Sequence, residues 1–147
     1  MLVSEILRIK GTTLFTTTPE GAVNDAVRVM AENDIGSLVV MDHGRLAGML
    51  TFREVLGALA ERDGALGNVR IEDIYERDPL TVAPSLDVME LRRTMLQRHA
   101  RYVPVMDGTT LQGVVSLHDV AKAVYEEQNF ENRMLRSYIG SAPDEER

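Results

Sequence analysis

The sequence predicts an α/β fold: two tandem β-α-β-β-α repeats packed sheet to sheet about a pseudo-twofold axis, followed by a C-terminal helix. Three observations predict it. Residues 16–55 align on residues 81–120 without a gap at an offset of 65. Each copy runs through helix-spaced and strand-like apolar patterns in the same order. Neither copy alone has enough apolar residues to bury a core, so the two must share one. The resulting divisions are residues 1–67 and 68–124 for the repeats, and 125–147 for the terminal helix with a frayed acidic tail at 144–147.

The coincidences fall where a fold demands them: Pro19 on Pro84, Arg28 on Arg93, Met30 on Met95, Val40 on Val105, Asp42 on Asp107, Gly48 on Gly113 and Val55 on Val120. Each copy opens with a short extended piece, residues 14–17 or 80–82, ending at a proline that suits the first turn of a helix. The helix follows, with Val23, Ala26, Val27 and Met30 on one face, and Val88, Leu91 and Met95 repeating that stripe. Residues 37–41 and 102–106 are short β-rich runs that end in the turn signals Asp42-His43-Gly44 and Asp107-Gly108. The return strands are 46–50 and 111–115, and a second helix opens at Thr51 or Ser116. A Gly-rich linker, 63–68, leads to residues 69–74, which echo residues 3–7. The last helix runs to Ile139 with Val124, Phe130, Met134, Leu135, Tyr138 and Ile139 as apolar contacts, and Gly140 stops it.

Composition narrows the function. The chain of 147 residues is 44% hydrophobic and 27% charged, near the average for soluble globular proteins. Cysteine is absent, which excludes disulfides, zinc ribbons, iron–sulfur centres and thiol nucleophiles. Sixteen Lys and Arg against 23 Asp and Glu give a net charge of −7, a sign that opposes wide contact with nucleic acid despite Arg92, Arg93, Arg98 and Arg101. The longest aliphatic run, residues 38–41, falls far short of the ~20 apolar residues of a membrane helix. The opening residues 1–10 are too charged for a signal peptide, so a cytoplasmic location is the default expectation. His43, His99 and His118 form no close ligand pair, and no P-loop or GxGxxG is present. Ser116, His118 and Asp119 enter one helix as near neighbours and cannot pass a proton along a triad. The expectation is a binding protein without a metal and not an enzyme.

The segments 35–42, 48–54, 101–107 and 113–119, two copies in one register, resemble a CBS domain pair, or Bateman module. Val3-Ser4-Glu5-Ile6-Leu7, Lys10-Gly11 and Tyr138-Ile139-Gly140 are further similar to stand-alone bacterial CBS-pair proteins. That resemblance implies regulatory binding of an adenosine-containing nucleotide, with AMP foremost among AMP, ADP, ATP, NAD and S-adenosylmethionine, and assembly into a disc-like homodimer. No cofactor is required, and the downstream protein partner is unidentified.

Gly113-Val114-Val115-Ser116-Leu117-His118-Asp119 matches the family's ribose and phosphate motif. A hydroxyl at a helix N-terminus suits a phosphate, and Asp119 suits the ribose hydroxyls. Ser116 with Asp119 is equally an ordinary capping pair, and on spacing alone that reading is the stronger. In the first copy, Thr51 and Glu54 form the literal capping box Thr-x-x-Glu, one methylene longer than the family's usual acid. Arg53 and His118 follow the two hydroxyls as cations for phosphate or as solvated surface charges. For the adenine, the resemblance implies walls at Thr18, Ile35, Gly36 and Ser37, or at Ala83, Arg101, Tyr102, Val103 and Pro104. Those spans are strand edges, and residues 38–41 and 103–106 serve chiefly as core strands. The rival reading is a ligand-free dimerisation scaffold in which the hydroxyls only cap and the terminal helix joins subunits.

Overall fold

A computed structural model describes residues 1–11 and 13–140; the predicted tail at 144–147 lies outside the described residues. Its helices are α1 (Val3–Lys10), α2 (Val23–Asn33), α3 (Phe52–Glu61), α4 (Val88–Arg98) and α5 (Leu117–Gly140). Its strands are β1 (Thr16–Thr17), β2 (Ser37–Asp42), β3 (Arg45–Thr51), β4 (Glu76–Arg77), β5 (Tyr102–Asp107) and β6 (Thr110–Ser116). The first sheet has the order β1-β2-β3-β4 and the second pairs β5 with β6. A single parallel bridge from Val82 to Val105 stands where β1 stands in the first sheet.

The repeat is visible in the backbone hydrogen bonds. Both hairpins carry a register irregularity at the same place, between Val40 and Met41 and between Val105 and Met106. His43 and Gly44 turn the first hairpin with φ of 51° and 79°, the two positive values that a two-residue turn between right-twisted strands requires. Helices α2 and α4 both end on a left-handed residue, Asp34 and His99. That reversal throws the chain directly into the start of β2 or β5. The stripes Val23, Ala26, Met30 and Val88, Leu91, Met95 are buried as the periodicity requires.

Two features of the helices differ from the sequence expectation. Pro19 and Pro84 do not open helices: α2 begins at Val23 and α4 at Val88. The prolines sit in turns closed by Gly21 N donating to the Thr18 carbonyl (3.1 Å) and Leu86 N to the Ala83 carbonyl (3.2 Å). Their own carbonyls are used elsewhere, as acceptors for Glu72 N (2.8 Å) and Ser4 N (2.9 Å). The terminal helix has the expected extent, but Phe130, Met134, Leu135, Tyr138 and Ile139 are exposed, and only Val124 of that set packs on the core. Ala123 and Val124 are the last α5 residues that belong to or pack on the second core.

The repeats do not share one core, contrary to the expectation from their apolar content; each has its own, completed by a segment of the other repeat, so that sequence repeats and packed cores do not coincide. The first core takes in Leu66, Val69 and Ile71 beside Val23, Leu38, Val40 and Leu50. The second takes in Val3 and Ile6 beside Val88, Leu91, Val103 and Val120. The opening segment of each repeat is therefore exchanged into the other, by equivalent bonds. Val3 N donates to the Leu86 carbonyl and Ile71 N to the Gly21 carbonyl (both 2.9 Å), while Val88 N donates to Met1 and Val23 N to Val69. This exchange carries the end of α1 to the rim of the second repeat, and residues 76–80 to the rim of the first.

Candidate functional site

Each repeat offers two things to the seam between halves. One is the stretch after the left-handed cap, residues 34–37 or 99–102. The other is the junction where the return strand becomes a helix, residues 51–54 or 116–119. Phe52 N donates to the Gly36 carbonyl (3.1 Å) and Leu117 N to the Arg101 carbonyl (2.8 Å), so these pieces are tied together within each repeat. Across the seam, the cap stretch of one repeat faces the helix junction of the other, and two clefts result.

The large cleft has a volume of about 640 Å³, within the usual range for a small-molecule site. Leu14, Phe15, Ile35, Gly36 and Ser37 form its first-repeat wall; Val114, Ser116, Leu117, His118 and Asp119 form the opposite one, at the N-terminus of the 24-residue α5. Ser116 and Asp119 cap each other's backbone: Ser116 N donates to Asp119 Oδ2 (2.9 Å) and Asp119 N to Ser116 Oγ (3.0 Å). Lys10 Nζ adds a third bond to this group, donating to Asp119 Oδ2 at 2.6 Å and to the Val114 carbonyl at 2.8 Å. Burial raises the Asp119 pKa, but the Lys10 and Ser116 hydrogen bonds and the lysine charge outweigh it and hold the carboxyl below its ordinary value. Lys10, Arg101 and His118 line this cleft together with Asp34 and Asp119.

The small cleft encloses only about 120 Å³. Thr51, Phe52, Arg53 and Glu54 face Arg98, His99, Ala100, Arg101 and Tyr102, with Glu76, Asp78 and Pro79 from the exchanged segment on the rim. Glu54 is committed to capping, accepting from Thr51 N (2.7 Å) and Thr51 Oγ1 (2.8 Å). Arg53 donates to the His99 carbonyl at the end of α4 (2.9 Å). Burial, then the neighbouring Glu54 charge, push the Glu76 carboxyl above its ordinary value against the pull of Arg53 and Arg98.

Between the clefts stands a partition. The Phe52 and Tyr102 rings meet edge to face at 6.3 Å, and the Arg101 guanidinium lies 5.4 Å from the Phe52 ring centre. Tyr102 packs directly over Gly36, where an added Cβ would clash with the phenol oxygen unless the ring moved aside. Burial raises the Tyr102 pKa, with Arg101 opposing it.

Of the residues predicted from sequence, Ile35, Gly36, Ser37, Arg101, Tyr102, Ser116, His118 and Asp119 come together in the large cleft. Thr51, Arg53 and Glu54 line the small one, which Arg101 and Tyr102 also border. Thr18, Ala83, Val103 and Pro104 line neither cleft. Thr18 and Ala83 are exposed turn residues, Val103 is buried in the second core, and the Pro104 carbonyl accepts from Val82 N inside the sheet. Sequence reading missed Lys10, Phe15 and Asp34 in the large cleft and Glu76 and Asp78 in the small one. Lys10, Glu76 and Asp78 arrive through the exchange of opening segments, which no local pattern signals.

The sequence profile of the CBS domain matches residues 3–61 and again 71–126. The chain is 31% identical over 147 residues to the mitochondrial CBS domain-containing protein CBSX3 of Arabidopsis thaliana, with 93% of this chain and 71% of that protein covered. Among solved structures it is similar to a putative signal-transduction protein with CBS domains from Burkholderia ambifaria (TM-score 0.81, 32% identity, 87% of this chain and 96% of that one). The fold is shared with the CBS pair of MJ0100, solved with 5′-methylthioadenosine and S-adenosylmethionine (TM-score 0.76, 24% identity, 86% and 98% covered). It is shared also with CBSX2, solved with AMP (TM-score 0.72, 22% identity, 86% and 98% covered). With two matched repeats in mutual register, the chain belongs to the CBS domain family, whose paired domains are regulatory modules.

Proposed function

We propose that this CBS pair is a sensor module that binds one adenosine-containing nucleotide, AMP foremost, in the large cleft and reports it through a change in packing between the repeats. The observation that carries this reading is the construction of the cleft: an apolar slot of one repeat opposite a hydroxyl, a carboxylate and a long helix's N-terminus in the other. The slot at Phe15, Ile35 and Gly36 suits a purine. Asp119 suits the ribose hydroxyls as an ionised acceptor. Ser116 and the first turn of α5 suit the phosphate. MJ0100 and CBSX2, the proteins of like fold, carry ligands of this class.

A ligand spanning the seam changes the balance of packings only through contacts that differ between them. Here the phosphate contacts at the second repeat and the base contacts at the first supply that difference, and a downstream protein reads the outcome. The small cleft, filled by its own side chains, takes no part in first binding. The test is thermal denaturation and calorimetry with AMP, ADP, ATP, NAD and S-adenosylmethionine, joined to mass spectrometry of small molecules released from natively purified protein. A rise in melting temperature with an adenosine nucleotide is expected; no heat and no shift with any of the five rejects the reading.

One observation favours a second role beside this one. The far part of α5 exposes Phe130, Met134 and Leu135 together, an apolar area more typical of a subunit contact than of a solvated helix. The protein as homodimer through α5 is the corresponding reading. Phe130→Asp with Leu135→Asp is expected to halve the mass seen in sedimentation, while the melting temperature of the core changes by no more than a few degrees. An unchanged mass rejects it.

A further inference from the structure

The ammonium of Lys10 occupies the carboxylate that a ribose needs. Nζ lies 2.6 Å from Asp119 Oδ2 and 2.8 Å from the Val114 carbonyl, and that Oδ2 already accepts from Ser116 N. With Oδ2 holding two donors, two ribose hydroxyls cannot take one carboxylate oxygen each while Lys10 keeps its place. The pair is only partly screened by solvent, the Lys10 side chain being 35% exposed and Asp119 17%. Breaking it without replacement carries a real cost, because a half-buried carboxylate loses a charge-assisted hydrogen bond.

The base of α1 is fixed, Val3 and Ile6 being buried in the second core. Lys10 is the last residue of that helix, followed by Gly11 at φ 96° with nothing within 4 Å of the space a Cβ would take. Its flexible four-carbon stem thus leaves Nζ able to sweep across the cleft mouth while the helix stays put. Arg101 and His118 are the other basic side chains lining the cleft, and besides Asp119 its lining carboxylate is Asp34 of the first repeat, so at the helix junction a displaced Nζ gains a new anion only if the ligand brings it.

We propose that Lys10 is the specificity-determining residue of the large cleft: its ammonium guards Asp119 and yields it to nucleotides that carry a 5′-phosphate, to which Nζ transfers. Adenosine offers Nζ no new anion, and S-adenosylmethionine places a sulfonium cation at the 5′ position where AMP has its phosphate, so both are discriminated against. The inference rests on the nucleotide reading of the cleft and deepens it.

The experiment is calorimetric titration of AMP and adenosine into the wild-type protein, Lys10→Met and Lys10→Arg. Lys10→Met releases Asp119 for either ribose but removes the phosphate's partner. The wild-type preference for AMP over adenosine is expected to shrink by about tenfold or more, the worth of one charge-assisted bond. Lys10→Arg is expected to retain most of it. Lys10→Gln, with equal loss of charge and an amide in place of the apolar tip, gives the same result if Lys10→Met folds poorly. An AMP-to-adenosine preference unaltered in the neutral variants, with both ligands bound, overturns the role of Lys10 and leaves the nucleotide site standing. Failure of AMP and adenosine to bind any of the proteins overturns this inference, and if ADP, ATP, NAD and S-adenosylmethionine are silent as well it overturns the nucleotide reading with it.

Discussion

The two clefts occupy equivalent places in the repeat and are built from equivalent backbone, yet one holds about 640 Å³ and the other about 120 Å³. The hydrogen bonds that set the walls are the same, Phe52 N to Gly36 and Leu117 N to Arg101. What differs is the side chains laid over that frame. The acid of the helix junction is Asp119 in one and Glu54 in the other. The exchanged opening segment brings Lys10 to the first and Glu76 with Asp78 to the second. The frame makes two clefts available; the side chains laid over it decide which of them stays open.

The largest effect expected from this asymmetry is on binding. Asp119→Ala removes the acceptor proposed for both ribose hydroxyls and is expected to weaken AMP on the order of a thousandfold, two charged hydrogen bonds' worth. Glu54→Ala is expected to leave AMP affinity within about twofold of wild type and to cost only about 1 kcal/mol of stability through the lost cap. Calorimetric titration with urea denaturation separates the two effects. Comparable losses of affinity from both substitutions erase the distinction between the clefts.

Next in size is a contrast in stability. A Cβ on Gly48 would lie 2.0 Å from the Glu76 carbonyl oxygen and 2.8 Å from the Tyr75 ring, where β4 pairs with β3. Backbone cannot step aside without opening that pairing, so Gly48→Ala is expected to cost about 3 kcal/mol. At the equivalent Gly113, the nearest atom to an added Cβ is the Leu7 Cδ2 at 3.0 Å, the end of a side chain able to rotate. Gly113→Ala is therefore expected to cost less than about 1 kcal/mol. Denaturant midpoints check both. Equal costs would mean that the exchanged segments are held alike on the two repeats.

This pair of glycines also shows how far the sequence could be read. Gly48 and Gly113 coincide at the offset of 65, and that register correctly located both hairpins, both helix stripes and the capping positions Thr51 and Ser116. It could not tell the glycines apart, because what each meets belongs to a segment distant in sequence. The same blindness applies to the cleft. Asp119, Ser116, Tyr102 and Gly36 were legible because they stand in repeated local motifs. Lys10 was not, since its partners Val114 and Asp119 lie more than a hundred residues away. The placement of base contacts at Thr18, Ala83, Val103 and Pro104 came from resemblance alone, and local turn and sheet bonding engages those residues instead.

The smallest expected effect separates the clefts by pH. Asp119 has its folded pKa lowered from an ordinary 3.8, so its contribution to stability is complete above about pH 4 and is lost as pH falls through the folded value. Glu76 is shifted the other way, upward from 4.5: its charged form opposes folding at neutral pH, and that opposition is relieved as pH falls through its raised folded value. Glu76→Gln is accordingly expected to raise the melting temperature slightly at pH 7, with an advantage that fades as pH falls towards 4. Asp119→Asn is expected to lower it at pH 7 and to flatten the loss below about pH 4, because the asparagine no longer has a charge to surrender. Melting curves from pH 3 to pH 7 on the two variants resolve these opposite slopes. Parallel curves would show that neither carboxylate feels its cleft, and the electrostatic part of the distinction would have to be abandoned while the steric part survived.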